Sequence, residues 1–153
     1  MARFKFLAMV FPFIFGGCNF KIEDLKSFEF AYSTGNYLNA KVIYAVQSNS
    51  AGYSFSIKPS GVDEKDAFVC AVQSADIAEL ETILNRYEVS RWDGFKKSDL
   101  LVKDGPSFHL YVWLKNGKSV HASGYSSFPK NYKDFRKEMD EFFMRYKPSE
   151  KLH

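Results

Sequence analysis

The sequence holds few of the residues that usually carry metal sites, disulfide frameworks or catalysis. It has 2 Cys and 3 His in 153 residues. Two cysteines exclude a disulfide-dense scaffold, and no His/Cys spacing in the chain matches a zinc site. The G-x-S-x-G, H-E-x-x-H, P-loop and G-x-G-x-x-G motifs are also missing. We therefore predict no catalytic residues, no metal and no cofactor.

Charge of one sign is equally scarce, and aromatic residues are abundant instead. The chain has 21 Lys plus Arg against 18 Asp plus Glu, and its formal net charge of +3 is too weak to predict a nucleic-acid partner. Hydrophobic residues make up 46% of the chain, and aromatic residues 18%, with 16 Phe and 9 Tyr. This composition excludes a disordered chain and predicts one globular domain with a sizeable core.

The N-terminus has the pattern of an export signal. Arg3 and Lys5 precede an uncharged apolar run at 6–15, and a Gly-Gly-Cys sequence then ends at Cys18. The run is too short to span a bilayer, which takes about 20 apolar residues. Positive residues, a short apolar run and small residues in this order are typical of a cleaved signal peptide.

The end of this segment, from Phe15 to Cys18, resembles the lipobox of bacterial lipoproteins, with Phe15 where Leu is usual. The resemblance implies that residues 1–17 are a lipoprotein signal peptide. It also implies that Cys18 becomes the new N-terminus and carries acyl chains on its thiol and its amine. Two or three acyl chains suffice for stable attachment, so we expect the protein at the cell membrane or outer membrane, lipid-anchored outside the cytoplasm. An ordinary export signal and a buried N-terminal strand are the alternatives.

The remaining chain is interpreted as a lipidated tether at 18–27, a single α+β domain at 28–147 and a C-terminal tail at 148–153. Apolar and polar residues alternate in three candidate strands, and a fourth is apolar throughout. These strands are expected near 28–33, 42–47, 53–58 and 68–72. Cys70 lies in the fourth strand, and we expect a buried thiol there with no disulfide partner.

Two helices follow from apolar residues at helical spacing. The first is predicted to begin near Asp76, with Asp76 and Glu79 as a capping box, and the second covers 132–146. Between the helices, 91–105 is interpreted as a loop region, and Asn116-Gly117 is predicted to join two strands in a hairpin. The order ββββ-α-ββ-α predicts an antiparallel sheet of about six strands with both helices packed on one face.

The hairpin carries the candidate binding surface. With a two-residue turn, its register puts His109, Tyr111 and Trp113 in a row on one face, and His121 on the opposite, aliphatic face. Aromatic rings beside a His edge suit a sugar, a peptide or a lipid headgroup. We add Trp92, from the preceding loop, as a fourth candidate for this surface. The alternative is that a helix or the loop around Trp92 covers the row.

Two further features have structural interpretations. The adjacent carboxylates Asp63-Glu64 and Asp140-Glu141 are expected to be solvated surface. Neighbouring carboxylates on a helix do not face each other, so these residues do not imply a general acid/base pair. The segment 91–95 around Trp92 is expected to be a turn that pins its loop to the sheet. The alternative is that this loop forms one wall of a pocket.

Five segments together resemble a small domain found in uncharacterised bacterial proteins, mainly of Firmicutes. The segments are Phe28–Ser33, Trp92–Asp99, Val102–Phe108, Asn116–Tyr125 and Phe128–Tyr132. Phe128 stands where Trp would be expected. Some of those proteins are lipoproteins, so the resemblance implies one domain in a bacterial envelope. It implies no activity and no functional residues.

We therefore predict a membrane-anchored lipoprotein with a non-enzymatic binding role in the cell envelope. The membrane is one expected partner, through the lipid on Cys18, and an envelope protein or a glycan is the other. Two alternatives stay open. One is an envelope enzyme that acts on glycan or peptide through the His109 face, and the other is an inhibitor or immunity-type module that blocks a partner protein.

Overall fold

The computed structural model describes residues 19–35, 41–59 and 61–147. The predicted signal peptide at 1–17, the predicted lipidation site Cys18 and the predicted tail at 148–153 lie outside these residues.

The described chain forms one mixed sheet. Its strands are β1 (Leu25–Ser33), β2 (Val42–Asn49), β3 (Gly52–Pro59), β4 (Phe68–Val72), β5 (Lys96–Ser98), β6 (Ser107–Leu114) and β7 (Ser119–Tyr125). The seven strands lie in the order β4-β3-β2-β1-β6-β7-β5. The predicted α+β class is confirmed, because helices pack on this sheet.

The predicted antiparallel sheet of about six strands differs in one element. The strand β5 lies within the predicted loop region at 91–105 and pairs parallel with β7. The pairing is parallel because β6 returns along the sheet before β7 begins, so β7 runs in the same direction as β5. The strand and helix order is therefore ββββ-α-βββ-α.

Both helices begin close to their predicted positions. They are α1 (Ser74–Arg86) and α2 (Tyr132–Met144). The capping residues of α1 lie three positions earlier than predicted: the Asp76 carboxylate accepts a hydrogen bond of 2.8 Å from the backbone N–H of Gln73. A carboxylate there satisfies one of the N–H groups that a helix start leaves without an intrahelical partner.

One core lies between the helices and one face of the sheet. Buried residues from β1, β2, β3, β6, β7 and both helices belong to a single hydrophobic cluster. Aromatic rings fill much of it, and the rings of Tyr44 on β2 and Phe143 on α2 stack with their centroids 4.6 Å apart. Alternation along each strand sends the other side chains to the opposite side of the sheet, here called the outer face.

Residues 19–27 belong to the domain, so their interpretation as a tether is wrong. Ile22 is 1% exposed and Leu25 is 0% exposed. The Asn85 side chain on α1 accepts from the Ile22 N–H at 2.8 Å and donates to the Ile22 carbonyl at 2.7 Å. The Leu25 N–H donates to the Glu81 carboxylate at 2.8 Å. Side chains of α1 thus satisfy the backbone of a segment that enters the core.

Candidate functional site

The loop of the β6–β7 hairpin sets which side chains reach the outer face. The Leu114 N–H donates to the Lys118 carbonyl at 2.9 Å, and the Gly117 N–H donates to the Leu114 carbonyl at 3.1 Å. Gly117 has a φ of 86°. These bonds define a three-residue loop, a turn followed by a left-handed residue. The predicted two-residue turn is therefore wrong, and the pairing shifts by one residue.

The shift moves His121 to the outer face. Tyr111 pairs with His121, and His109 pairs with Ser123. The rings of Tyr111 and His121 have centroids 4.1 Å apart and planes inclined at 67°. The prediction that His109 and His121 point to opposite sides is wrong, because a one-residue slip exchanges the two faces of a strand.

The predicted aromatic row lies open on the outer face. His109 and His121 are exposed, Trp113 is 40% exposed and Tyr111 is half-buried. The Lys26 ammonium sits 5.0 Å from the centroid of the Trp113 ring. Within the described chain, neither a helix nor the loop around Trp92 covers the row.

Trp92 does not join this surface. It is 4% exposed and belongs to the core. Its ring meets the Phe135 ring of α2 with centroids 5.0 Å apart and planes inclined at 81°. The short 3₁₀ turn Val89–Trp92 follows α1 and places Trp92 on the helix side of the sheet. Trp92 is therefore a packing residue, as expected of a turn that pins its loop to the sheet.

The same loop also forms one wall of a concavity, so the alternative interpretation of 91–95 holds as well. Arg91 and Phe95, together with Phe128 and Lys130, line a depression of about 350 Å³. Arg91 is paired with Glu88 at 3.2 Å.

A depression of about 320 Å³ lies on the outer face beside the aromatic row, among residues of β1, β2 and β6. Ser27, Glu29, Gln47, His109 and Tyr111 are among its lining residues. Glu29 pairs with Tyr111 on one side and with Ala45 on the other. It takes part in none of the ion pairs found among the described residues.

We call Glu29, Gln47, His109, Tyr111, Trp113 and His121 the outer-face site. The prediction included three of its members and missed Glu29, Gln47 and His121. For Glu29 a signal was present, because it stands between the apolar Phe28 and Phe30 in an alternating strand. For His121 the signal depended on the hairpin register.

The site offers hydrogen bonding and ring contacts rather than metal chemistry. Its amide, carboxylate and imidazole groups can donate and accept, and its Tyr and Trp rings supply apolar area with a polar edge. Among the described residues, no group of three or more His, Cys, Asp and Glu side chains could hold a metal ion.

A second polar cluster lies between the sheet and α2. The hydroxyls of Tyr32 and Tyr44 both donate to Oδ1 of Asp140, at 2.6 and 2.7 Å. Burial, followed by these bonds to the carboxylate, raises the pKa of both tyrosines well above the ordinary value. The interpretation of Asp140 as solvated surface is wrong, whereas its neighbour Glu141 is exposed. The cluster ties α2 to two strands.

Cys70 points toward the core side of β4 and is half-buried, as a free thiol. Burial is the largest of the effects that raise its pKa, and the nearby Asp76 carboxylate adds to it. A raised pKa lowers the thiolate fraction at neutral pH and so disfavours a nucleophilic role.

Within the described residues, no helix has the length and apolar character needed to cross a membrane. No protein-family model matches the chain, and no curated protein shows significant similarity to it.

Proposed function

We propose that this protein is a membrane-anchored lipoprotein of the bacterial cell envelope, and that its domain binds a partner through the outer-face site without catalysis. The observation that carries the binding role is the open row of His109, Tyr111, Trp113 and His121 beside the depression around Glu29.

The composition of the outer face supports a binding surface. The solvated side of an antiparallel sheet usually carries polar and charged residues. Here the residues around Glu29 are uncharged, namely Ser27, Ala45 and Gln47, and the rings of His109 and Tyr111 adjoin them. Depletion of charge together with enrichment in Tyr and Trp is typical of the central part of protein interfaces.

Ring geometry favours a protein partner over a glycan. The Tyr111 plane is inclined at 67° to both Trp113 and His121. The rings therefore form no continuous flat platform on which successive sugars would stack. A protein surface can place side chains between inclined rings, and Glu29 offers a charged partner to a basic group.

Envelope placement is supported by the sequence pattern that ends at Cys18 and by the position of Asn19. The Ser90 hydroxyl donates to the Asn19 side chain at 3.2 Å, so the described chain begins at the domain surface. A lipid on Cys18 would hold the domain directly against the membrane. Intact mass and membrane partition of the full chain, beside Cys18→Ala, test this placement.

We expect a mature species that starts at Cys18, carries the mass of acyl chains and stays with the membrane. Both the acyl mass and the membrane partition should be lost in Cys18→Ala. An unprocessed, unlipidated and soluble chain in both cases would overturn the anchor.

The binding role is tested by crosslinking in living cells, followed by mass spectrometry. Trp113→Ala and Tyr111→Ala should each lose a stoichiometric partner that the unsubstituted chain retains. Met144→Ala is the matched control, since Met144 is 46% exposed on α2, on the other side of the sheet. Circular dichroism should show that all variants are folded.

Equal recovery of the partner with Trp113→Ala and with the control would contradict the outer-face site. Retention on purified cell-wall glycan, lost in Trp113→Ala, would instead identify a glycan as the ligand.

A further inference from the structure

The turn after β5 presents the two most exposed large apolar side chains of the described chain. Leu100 is 89% exposed and Leu101 is 95% exposed, and Val102 beside them is 39% exposed. Single exposed leucines are ordinary, but adjacent exposed leucines form a contiguous apolar patch, and such patches mark interaction sites.

Hydrogen bonds to Tyr125 and Asp99 hold this turn in place. The Asp99 N–H donates to the Tyr125 carbonyl at 2.9 Å, and the Leu101 N–H donates to Oδ1 of Asp99 at 3.1 Å. The Tyr125 hydroxyl donates to the Val102 carbonyl at 3.1 Å and accepts from the Gly105 N–H at 2.8 Å. Both ends of the turn are thus fastened to β7, and the leucines are held outward.

We infer that the Leu100–Leu101 tip inserts into the interfacial layer of the membrane to which the chain is anchored. This inference rests on the lipid anchor of the proposed function. Lys96 and Lys97 precede the tip and Lys103 follows it, and all three are exposed. Asp99 and Asp104 are exposed as well, so with three Lys and two Asp the segment 96–104 has a net charge of +1. Ammonium groups on both sides of an apolar tip suit an anionic lipid surface, because they reach the headgroups while the apolar part is buried.

The chemistry of the tip favours lipid over a protein surface. Central contacts of protein interfaces are enriched in Trp, Tyr and Arg, whereas Leu and Val are under-represented. The outer-face site contains Tyr and Trp, whereas the tip consists of Leu and Val. A convex aliphatic tip needs a deformable apolar medium, and the acyl boundary of a bilayer is one.

The position of the tip sets the orientation of the domain. The tip follows the end of the sheet where β7 stops at Tyr125, and the N-terminal segment lies at the other end, where Leu25 pairs with Leu114. The strand β1 separates the two ends by about 27 Å, at roughly 3.4 Å per residue. One membrane can meet both ends only if the strands lie along its plane.

The edge that faces the membrane is then β5. The N-terminal segment lies near the same edge of the sheet, because the ammonium of Lys118, which directly precedes β7, sits 5.2 Å from the centroid of the Phe20 ring. In this orientation the outer face stands away from the lipid and is open to a partner. Acyl chains carry the attachment, so the tip fixes the orientation of the domain rather than its affinity.

A tryptophan reporter at the tip tests the insertion. We use the full lipidated chain with Leu101→Trp in a Trp113→Phe background, bound to phosphatidylglycerol–phosphatidylethanolamine vesicles with brominated acyl chains. The buried Trp92 remains in every variant, so the spectrum of the Trp113→Phe chain on the same vesicles is subtracted to give the signal of the reporter. The reporter should shift to the blue and lose at least about half of its fluorescence, because an interfacial tip lies about 5–10 Å into the headgroup and acyl boundary. The matched control is Val69→Trp in the same background. Val69 is 60% exposed on β4, the opposite edge strand, and its reporter should not be quenched.

The outcomes separate this inference from the anchor. Equal quenching of the two reporters, on vesicles that carry the acylated chain, would overturn the insertion and leave the anchor intact. A blue shift at Leu101→Trp without quenching by bromine would mean that protein covers the tip, which also overturns it. A chain that lacks acyl mass and does not float with the vesicles would overturn the anchor, and the inference with it.

Discussion

Replacing Asp140 with Ala should lower the free energy of unfolding by about 2–6 kcal/mol. The hydroxyls of Tyr32 and Tyr44 both depend on its Oδ1, at 2.6 and 2.7 Å. Tyr44 is 0% exposed and Tyr32 is 8% exposed, so water cannot readily replace the carboxylate. A buried polar group that loses its partner costs about 1–3 kcal/mol, and here two groups lose it. The loss is large against the total stability of about 5–15 kcal/mol of a typical domain.

Urea denaturation followed by circular dichroism measures this cost, and the chain offers a matched control one residue away. Glu141 pairs with Lys137 at 3.7 Å, with both side chains largely exposed. Glu141→Ala should therefore change the free energy of unfolding by no more than about 0.5 kcal/mol. Asp140→Asn keeps an acceptor oxygen and should cost less than Asp140→Ala.

A cost for Asp140→Ala within about 0.5 kcal/mol of Glu141→Ala would refute this reasoning. A double-mutant cycle with Tyr44→Phe tests the assigned cause. Tyr44→Phe removes one of the two donors, so Asp140→Ala should cost less in that background than in the unsubstituted chain. Additive costs would mean that Asp140 stabilises the fold by another route.

Three further perturbations have definite expected outcomes. Raising the pH from about 10 to 12 should lower the Tm measured by calorimetry, because tyrosines of the unfolded chain titrate near 10. A hydrogen bond to a carboxylate at Tyr87, and chiefly burial at Tyr146, raise each folded-state pKa to about 12. Between about pH 10 and 12 the folded chain keeps phenol protons that the unfolded chain releases. The stabilisation from these two tyrosines is therefore fully present below about pH 10 and is lost as the pH rises to about 12. Tyr87→Phe should make the fall of Tm with pH shallower. Trp92→Ala should cost about 3–5 kcal/mol in urea denaturation as a core truncation, whereas Trp113→Ala should cost less than about 1 kcal/mol. Gly124→Ala should leave little folded protein by circular dichroism, because its Cβ would lie 2.0 Å from a backbone carbonyl oxygen; a native melting curve for it would contradict the packing around that strand.

The α+β class and most of the core could be predicted from side-chain periodicity. Phe55 and Ile57 alternate with serines in β3, and both are at most 1% exposed. The strand β5 could not be predicted in this way. Its sequence is Lys-Lys-Ser and all three residues are exposed. This strand is formed by backbone pairing with β7. Its polar side chains show no apolar alternation, so the periodicity of the sequence does not reveal it.

The predictions for the N-terminal segment and for Asp140 are wrong for a common reason. Ile22 and Leu25 stand among charged residues, and their burial depends on Asn85 and Glu81, which lie 63 and 56 residues away. Asp140 is half-buried and accepts hydrogen bonds from tyrosines that lie 108 and 96 residues before it. A polar group that a distant side chain satisfies has no local signature, so a local pattern assigns it to the surface.

The hairpin register is different, because evidence against the predicted turn was present in the sequence. Asn-Gly favours a two-residue turn. With that turn, Val120 and Ala122 would point to the outer face, and His121 would point into the core. The observed register pairs Val112 with Val120 and Leu110 with Ala122 on the core side. Burying a Val side chain is worth about 1.5–3 kcal/mol, which exceeds what a preference between two turn types can supply.

Contacts of the loop itself agree with the conclusion that aliphatic burial outweighs the turn preference of Asn-Gly. The Lys115 N–H donates to the Asp24 carbonyl at 2.9 Å, and the Asn116 side chain accepts from the Lys118 N–H at 2.9 Å. Lys115 is therefore bonded to the N-terminal segment rather than to Lys118, and it belongs to the loop. Burial of two aliphatic residues thus decides that His121 stands beside Tyr111. The composition of the outer-face site is in this sense a consequence of core packing, and any substitution that slips the hairpin by one residue should remove His121 from the site while it exposes Val120.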